Sequence, residues 1–163
     1  MNDRIEEEML ALLPQLRRFA YALTGAWPDA DDLVQATCIR AIERIDQWEV
    51  GTRLDSWMYR IAQNLHLNAI RKDRNRASHL REVASADHAG VAPDKPEDRL
   101  MLQDLGDAIG RLPSEQRAIL LLIAVEGRSY QEVSDLMGLS PGTVASRLSR
   151  ARTTLAAMLE GEK

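Results

Sequence analysis

The sequence predicts an all-α protein: two small helical domains joined by a flexible linker, the C-terminal one containing a helix-turn-helix. Three observations lead there. Apolar residues recur at spacings of three and four through most of the 163 residues, the signature of amphipathic helices. Aromatic residues make up only 4%, with a single Phe, where a sheet would favour more of them. Residues 77–96 break the pattern with small and polar residues, Gly90, Pro93 and Pro96. With 45% hydrophobic and 28% charged residues the composition is globular. At roughly 150 residues per domain the length allows one average domain or two of about 70 to 80. The break decides for two, at 1–76 and 97–163.

The first helix places Met9, Leu12, Leu13, Leu16, Phe19, Ala20 and Leu23 on one stripe, with Pro14 as a candidate break or kink and Gly25 as its stop. Pro28 and Asp29 restart the chain, and Asp29, Asp31 and Asp32 suit the positive end of a helix dipole. This second helix is expected to turn Leu33, Val34, Cys38, Ala41, Ile42 and Ile45 inward and to end near Trp48. After a turn at Gly51, a third helix carries Leu54, Trp57, Met58, Ile61 and Leu65 as its apolar face and finishes in Arg71, Lys72, Arg74 and Arg76. Beyond the linker, Leu100, Leu102, Leu105, Ile109 and Leu112 face inward, and after Pro113 a helix runs from Glu115 to about Val125. Ser129-Tyr130-Gln131-Glu132 has capping-box spacing, and Gly138 should end the helix it opens. Ser140 as N-cap and Pro141 at the first helical position start the last helix, with Val144, Leu148, Ala151 and Leu155 inward.

The net charge of −4 argues at first against a nucleic-acid partner. The average conceals a division. Residues 1–56 hold eleven acids against six bases, whereas residues 71–81 hold five bases against Asp73. On the third helix Arg60, Asn64, Asn68 and Arg71 share one stripe, offering two amides and two guanidinium groups to a common partner. A solvated helix end accounts equally for the basic run. Residues 129–156 read as helix, short turn, helix, the layout of a DNA-binding helix-turn-helix. Thr143, Ser146, Arg147 and Arg150 lie near the start of its second helix, where a recognition helix meets bases and phosphates. The alternative is a solvated arginine face on an ordinary helical hairpin.

Other chemistries find little support. Cys38 lies on the predicted inward face without a paired His, and no Gly-rich phosphate loop or acting carboxylate pair is present, so no enzyme is expected. His66, His79 and His88 have no zinc-ligand spacing, and neither a metal nor another cofactor is expected. The acidic start does not resemble a secretory signal, and the longest apolar run, Ala118 to Val125, falls far short of the roughly 20 residues that span a bilayer. A cytoplasmic protein with a reduced thiol is the expectation.

Five segments in order then resemble a known family: Asp31-Asp32-Leu33-Val34-Gln35, Trp57-Met58-Tyr59-Arg60-Ile61-Ala62-Gln63-Asn64, Leu112-Pro113 with Gln116-Arg117, Glu126 to Glu132, and Gly142 to Arg152. They are similar to the signature segments of bacterial sigma factors of the extracytoplasmic function type. The resemblance implies a non-catalytic subunit that binds core RNA polymerase, directs it to specific promoters and assists melting, in a stress or signal response and under an anti-sigma protein. Residues 1–76 would be the region-two domain, for promoter melting and the polymerase clamp, and 97–163 the region-four domain. It also implies residue roles. Asp32 and Gln35 would contact polymerase. Asn64 and Asn68, with Arg60 beside them, would meet unstacked bases of the melted proximal element, with Arg71, Lys72, Arg74 and Arg76 on its backbone. Thr143, Ser146, Arg147, Ser149 and Arg150 would meet the distal element in duplex form. Three departures stand out. Ala36 replaces a Glu common in relatives, Ala145 and Ser149 stand where relatives often place larger residues, and the domain that separates the two halves in larger sigma factors is missing.

Two other readings compete. A sigma-like decoy would bind an anti-sigma partner without productive DNA contacts, and would be expected to lose the basic groups that this chain keeps. A simple helix-turn-helix repressor accounts for residues 100–160 but leaves the Trp57 to Arg76 constellation without purpose. A tether of about 20 residues spans at most roughly 65 Å, so elements up to about 20 base pairs apart are within reach of two linked readers.

Overall fold

The computed structural model describes residues 3–77 and 104–161, and among these every regular element is helical. The chain divides into two compact units, Met1–Ala86 and Asp87–Lys163. Of the expected linker, residues 78–96 lie outside the described residues, as do Leu100 and Leu102.

The first unit packs three helices, α1 (Asp3–Thr24), α2 (Trp27–Glu43) and α3 (Leu54–Ala77). α1 buries Met9, Leu16, Phe19, Ala20 and Leu23 and runs through Pro14 without interruption. Pro14 and Leu10, whose carbonyl loses its helical donor to the proline, are both exposed, so the lost bond falls on the solvent side of the helix rather than in its core. Gly25, at φ 80°, ends the helix, its N–H donating to the Tyr21 carbonyl at 2.8 Å.

α2 differs from the sequence expectation in both register and length. Its buried row is Ala30, Leu33, Thr37 and Ala41, while Val34 and Cys38 are half-buried and Ile42 is 49% exposed. The reason is Thr37: its hydroxyl donates to the Leu33 carbonyl at 2.7 Å, which satisfies its polarity and lets it pack as an apolar residue would. The row is thereby rotated away from the aliphatic positions that spacing alone selects. The helix stops at Glu43 because Arg44 leaves helical geometry, at φ −120° and ψ 22°, and a 3₁₀ turn over Ile45–Gln47 leads to Trp48.

α3 buries Leu54, Met58, Tyr59, Ala62 and Gln63. Trp57, Ile61 and Leu65, expected to be inward, are half-buried and border the exposed side. Tyr59 stacks on Phe19 of α1 with ring centroids 4.6 Å apart, joining the two helices at the centre of the unit. At the surface, Arg17 of α1 forms a fork with Asp31 of α2 at 2.6 and 3.2 Å, and lies over the Trp27 ring, which Tyr21 also stacks against. The Arg17 hydrogen bond holds the Asp31 carboxyl below its ordinary range. Its contribution to stability is therefore present above the ordinary carboxylate range and lost as pH falls through the lowered value. Both groups are exposed, so solvent screening keeps the effect small.

The second unit contains α4 (residues 104–110), α5 (Ser114–Leu120), a single π-helical turn (Leu121–Val125), α6 (Tyr130–Met137) and α7 (Pro141–Gly161). One core cluster joins Ala108 and Leu112 to Ala151 and Leu155, and Ile119, Leu122, Val133, Leu136, Val144 and Leu148 are also buried. The expected inward stripe of the last helix is thus the one that packs.

The expected helix from Glu115 to Val125 is instead α-helical to Leu120 and π-helical beyond. Glu126 N–H reaches back to the Leu121 carbonyl at 3.1 Å, and Arg128 N–H to that of Leu122 at 2.9 Å. Gly127, at φ 67°, makes this return possible. It brings Glu126 and Arg128 into an ion pair at 3.2 Å with side chains 9% and 3% exposed.

The caps follow the sequence closely. Glu132 N–H donates to Ser129 Oγ at 3.1 Å while Ser129 N–H donates to Glu132 Oε2 at 3.3 Å, a complete capping box. Gly138 ends α6 in the left-handed conformation, φ 67° and ψ 33°. Thr143 N–H donates to Ser140 Oγ at 3.1 Å, with Pro141 at the first helical position.

Candidate protein and nucleic-acid interfaces

α2 turns a mixed face to solvent. Asp32, Gln35, Ala36, Ile39, Ile42 and Glu43 are all exposed, Ile39 by 52%. Two large aliphatic groups among acids and an amide give an apolar centre with a polar rim, the composition of a surface that another protein covers. Asp32 and Gln35 were singled out by the family resemblance alone, whereas apolar spacing assigned Ile42 to the core. The Thr37 back-bond is the signal that would have corrected it.

α3 supplies the second surface. Arg60, Asn64, Asn68 and Arg71 are exposed on one stripe beside the half-buried Ile61 and Leu65. Every residue from Arg71 to Ala77 is exposed, so Lys72, Arg74 and Arg76 project around the final turns of the same helix. Two amides, a group able to bond base edges, thus stand one turn apart along a rigid helix and lead into cations, a group able to bond phosphates.

The third surface is the outer side of α7, the second helix of the helix-turn-helix. The turn is fixed by Gly138, by Leu139 N–H donating to the Ser134 carbonyl at 3.1 Å, and by the Ser134 hydroxyl donating to the Leu139 carbonyl. Ser146, Ser149 and Arg150 are exposed. Thr143 is half-buried, its hydroxyl 2.8 Å from that of Ser140, and Ser146 Oγ donates to the Thr143 carbonyl at 3.2 Å. Arg147 is half-buried and forms an ion pair with Glu115 at the start of α5. Of the two cations expected on this face, Arg150 is exposed, while Arg147 is held by an anion of its own unit.

Sequence reasoning also missed what positions this face. Arg117 is 8% exposed and donates from Nη1 to the carbonyls of Gly110 and Leu112, both at 2.8 Å. It thereby ties the end of α4 and the turn at Pro113 to α5, which carries Glu115. A charged residue between Gln116 and the run Ala118 to Val125 was the only sequence signal that it lies inside. Among the described residues no cluster of metal-ligating side chains occurs, and no helix is long and apolar enough to cross a membrane.

Comparison with known proteins places these surfaces in context. The Sigma-70 region 2 family matches residues 9–76, which include α2 and all but the last residue of α3, and Sigma-70, region 4 matches residues 102–155, which include α6 and most of α7. The chain is 36% identical to the ECF RNA polymerase sigma factor EcfG of Rhodopseudomonas palustris, over 98% of this chain and 87% of that one. It is 31% identical to a chain of the co-crystal structure of the sigma factor RpoE with the anti-sigma factor NepR from Bartonella quintana, with a TM-score of 0.85 and coverage of 99% and 100%. At 24% identity and a TM-score of 0.56 it shares its fold with a chain of the complex between the anti-anti-sigma factor PhyR and NepR of the same organism, covering 91% of this chain and 48% of that one.

Proposed function

This chain belongs to the extracytoplasmic function (ECF) family of RNA polymerase sigma factors, which act in transcription initiation, and on that premise we propose that it directs core polymerase to specific promoters and assists their melting. Residues 1–76 form the region-two domain. The exposed face of α2 docks on polymerase through Asp32 and Gln35, with Ile39 and Ile42 as the apolar centre that spacing did not foresee. This answers the Ala36 departure: aliphatic burial supplies what a missing Glu would have contributed, since a rim charge contributes little to such a contact.

Asn64 and Asn68 receive unstacked bases of the proximal element, beside Arg60, and Arg71, Lys72, Arg74 and Arg76 hold its backbone. Residues 97–163 form the region-four domain, in which α7 enters the major groove of the distal element through Thr143, Ser146, Arg147, Ser149 and Arg150. The observation that carries this reading is that the amides of α3 and the outward groups of α7, on separate units, all lie on solvent-facing sides of rigid helices. The protein works in the cytoplasm, where polymerase and chromosome are, in a stress or signal response. An anti-sigma protein regulates it, a reading supported by the 31% identity to a chain of the RpoE–NepR complex.

Multi-round transcription with purified core polymerase and a promoter library tests the proposal. Initiation at a distinct subset of promoters is expected, and activity no more selective than core alone would overturn it. The same assay separates a sigma factor from a mimic, because a mimic captures an anti-sigma protein and leaves transcription unchanged. The net charge of −4 adds a second expectation, since nonspecific affinity scales with the phosphates neutralised. The free chain should bind duplex DNA weakly, and tight binding should require polymerase. Salt-resistant binding by the isolated chain, measured by titration against salt, would contradict it.

A further inference from the structure

The ion pair between Glu115 and Arg147 crosses from the start of α5 to the outward half of α7. Its two side chains are 39% and 31% exposed while the Arg147 Nη1 that meets the carboxylate is itself buried, so the pair sits at the boundary between core and solvent. Arg147 stands between Ser146, which is exposed, and Leu148, which is buried, and one turn before Arg150 on the solvent side is Ser146. A guanidinium in that position has a choice of two anions. A carboxylate and a phosphate both present paired oxygens that match its fork of donors, so the two compete for the same groups. In the DNA-free protein the carboxylate of Glu115 holds that place.

We infer that Glu115 is an affinity-setting residue: an internal anion that Arg147 must exchange for DNA, so that the distal element is bound more weakly, and with less dependence on salt, than the cations of α7 would give. The inference rests on the reading of α7 as the helix that enters duplex DNA. Exposed ion pairs contribute little net stability, so exchange is not prevented by the fold. Its consequence is instead a change in the charge that α7 presents. While the pair persists, Arg147 contributes no net positive charge to the approaching phosphates. When Arg147 turns to DNA, the Glu115 carboxylate is left uncompensated beside it. Both routes weaken binding, and both vanish when the carboxylate is removed. Arg147 is thus kept from making the unit bind any duplex strongly, which favours sequences where the remaining contacts are good enough to draw it across.

The test uses holoenzyme assembled from core polymerase and the full chain, with a promoter duplex that the wild-type holoenzyme has selected from a random-sequence pool. Closed-complex affinity is measured between about 50 and 200 mM salt. Glu115→Gln should tighten binding about three- to tenfold at the lower salt and steepen the dependence of log affinity on log salt by roughly one, the change expected for one further phosphate contact. With Arg147→Gln already in place, the gain from Glu115→Gln should fall below about twofold, because the carboxylate acts through that side chain. Unchanged or weaker binding by Glu115→Gln, or an equal gain with Arg147 absent, overturns the inference. Arg150→Gln separates this from failure of the underlying reading. If Arg150→Gln weakens binding while Glu115→Gln does not strengthen it, the exchange alone is wrong. If Arg147→Gln and Arg150→Gln both leave binding unchanged, α7 does not read the duplex.

Discussion

Replacing Arg117 by methionine is expected to destabilise the second unit by about 2–3 kcal/mol, the cost of removing a buried, charge-assisted donor from two acceptors. The side chain is 8% exposed, and its Nη1 serves the carbonyls of both Gly110 and Leu112. Gly110 closes α4, where carbonyls lack helical partners, and Leu112 precedes Pro113, which has no N–H to offer the turn. Methionine fills much of the volume with a flexible apolar chain and returns neither hydrogen bond, so the loss isolates the donor rather than the packing. Amide hydrogen exchange resolves the effect by element. Protection in α5 and α7 should fall by a factor of roughly 30 to 150, the equivalent of that free energy. Arg152→Met, at an exposed position of α7, should change it by less than about threefold. Equal effects from the two substitutions would show that the buried guanidinium contributes no more than a surface one.

The same residues explain which features were legible before the fold was known. The α7 core stripe Val144, Leu148, Ala151, Leu155 and the caps at Ser129, Ser140 and Gly138 follow from spacing and from local hydrogen bonding, and both act within one or two turns of chain. The amide stripe on α3 was legible for the converse reason: with one side of a helix claimed by Leu54, Met58 and Ala62, polar residues on the other side must face solvent. What spacing could not reach were groups whose polarity is cancelled by a partner. Thr37 is cancelled by the Leu33 carbonyl, and α2 rotates with it, exposing Ile42. Arg117 is cancelled by two carbonyls and Arg128 by Glu126, so both lie inside although their residue types belong outside. Arg147 is a partial case, recognised as outward but not as paired, because Glu115 is 32 positions earlier in the chain. The solvent-facing side of α3 was therefore legible, and the pairing of Arg147 was not.

Removing both amides of α3, as Asn64→Ala with Asn68→Ala, is expected to slow open-complex formation by about 10- to 100-fold while leaving closed-complex affinity within about twofold. The asymmetry follows from what each group can bind. A side-chain amide offers a donor and an acceptor to the Watson–Crick edge of a base, and in a paired duplex that edge is occupied by the partner base. Once a base is unstacked, at a cost of a few kcal/mol, the edge is free and the amide can offset part of that cost. Arg71, Lys72, Arg74 and Arg76 behave differently, since phosphates are present on paired and melted strands alike. Charge removal there, for example Arg71→Ala with Arg74→Ala, should weaken both steps and reduce their dependence on salt. Asn64, Asn68 and the cations are all exposed on the same helix, so neither substitution disturbs a buried contact and the comparison is between chemistries rather than between degrees of unfolding. Permanganate reactivity of unpaired thymines follows opening, and filter binding at low temperature follows the closed complex. Equal losses at the two steps for the asparagine pair would mean that the amides help hold duplex DNA, and base capture would have to be sought elsewhere on the first unit.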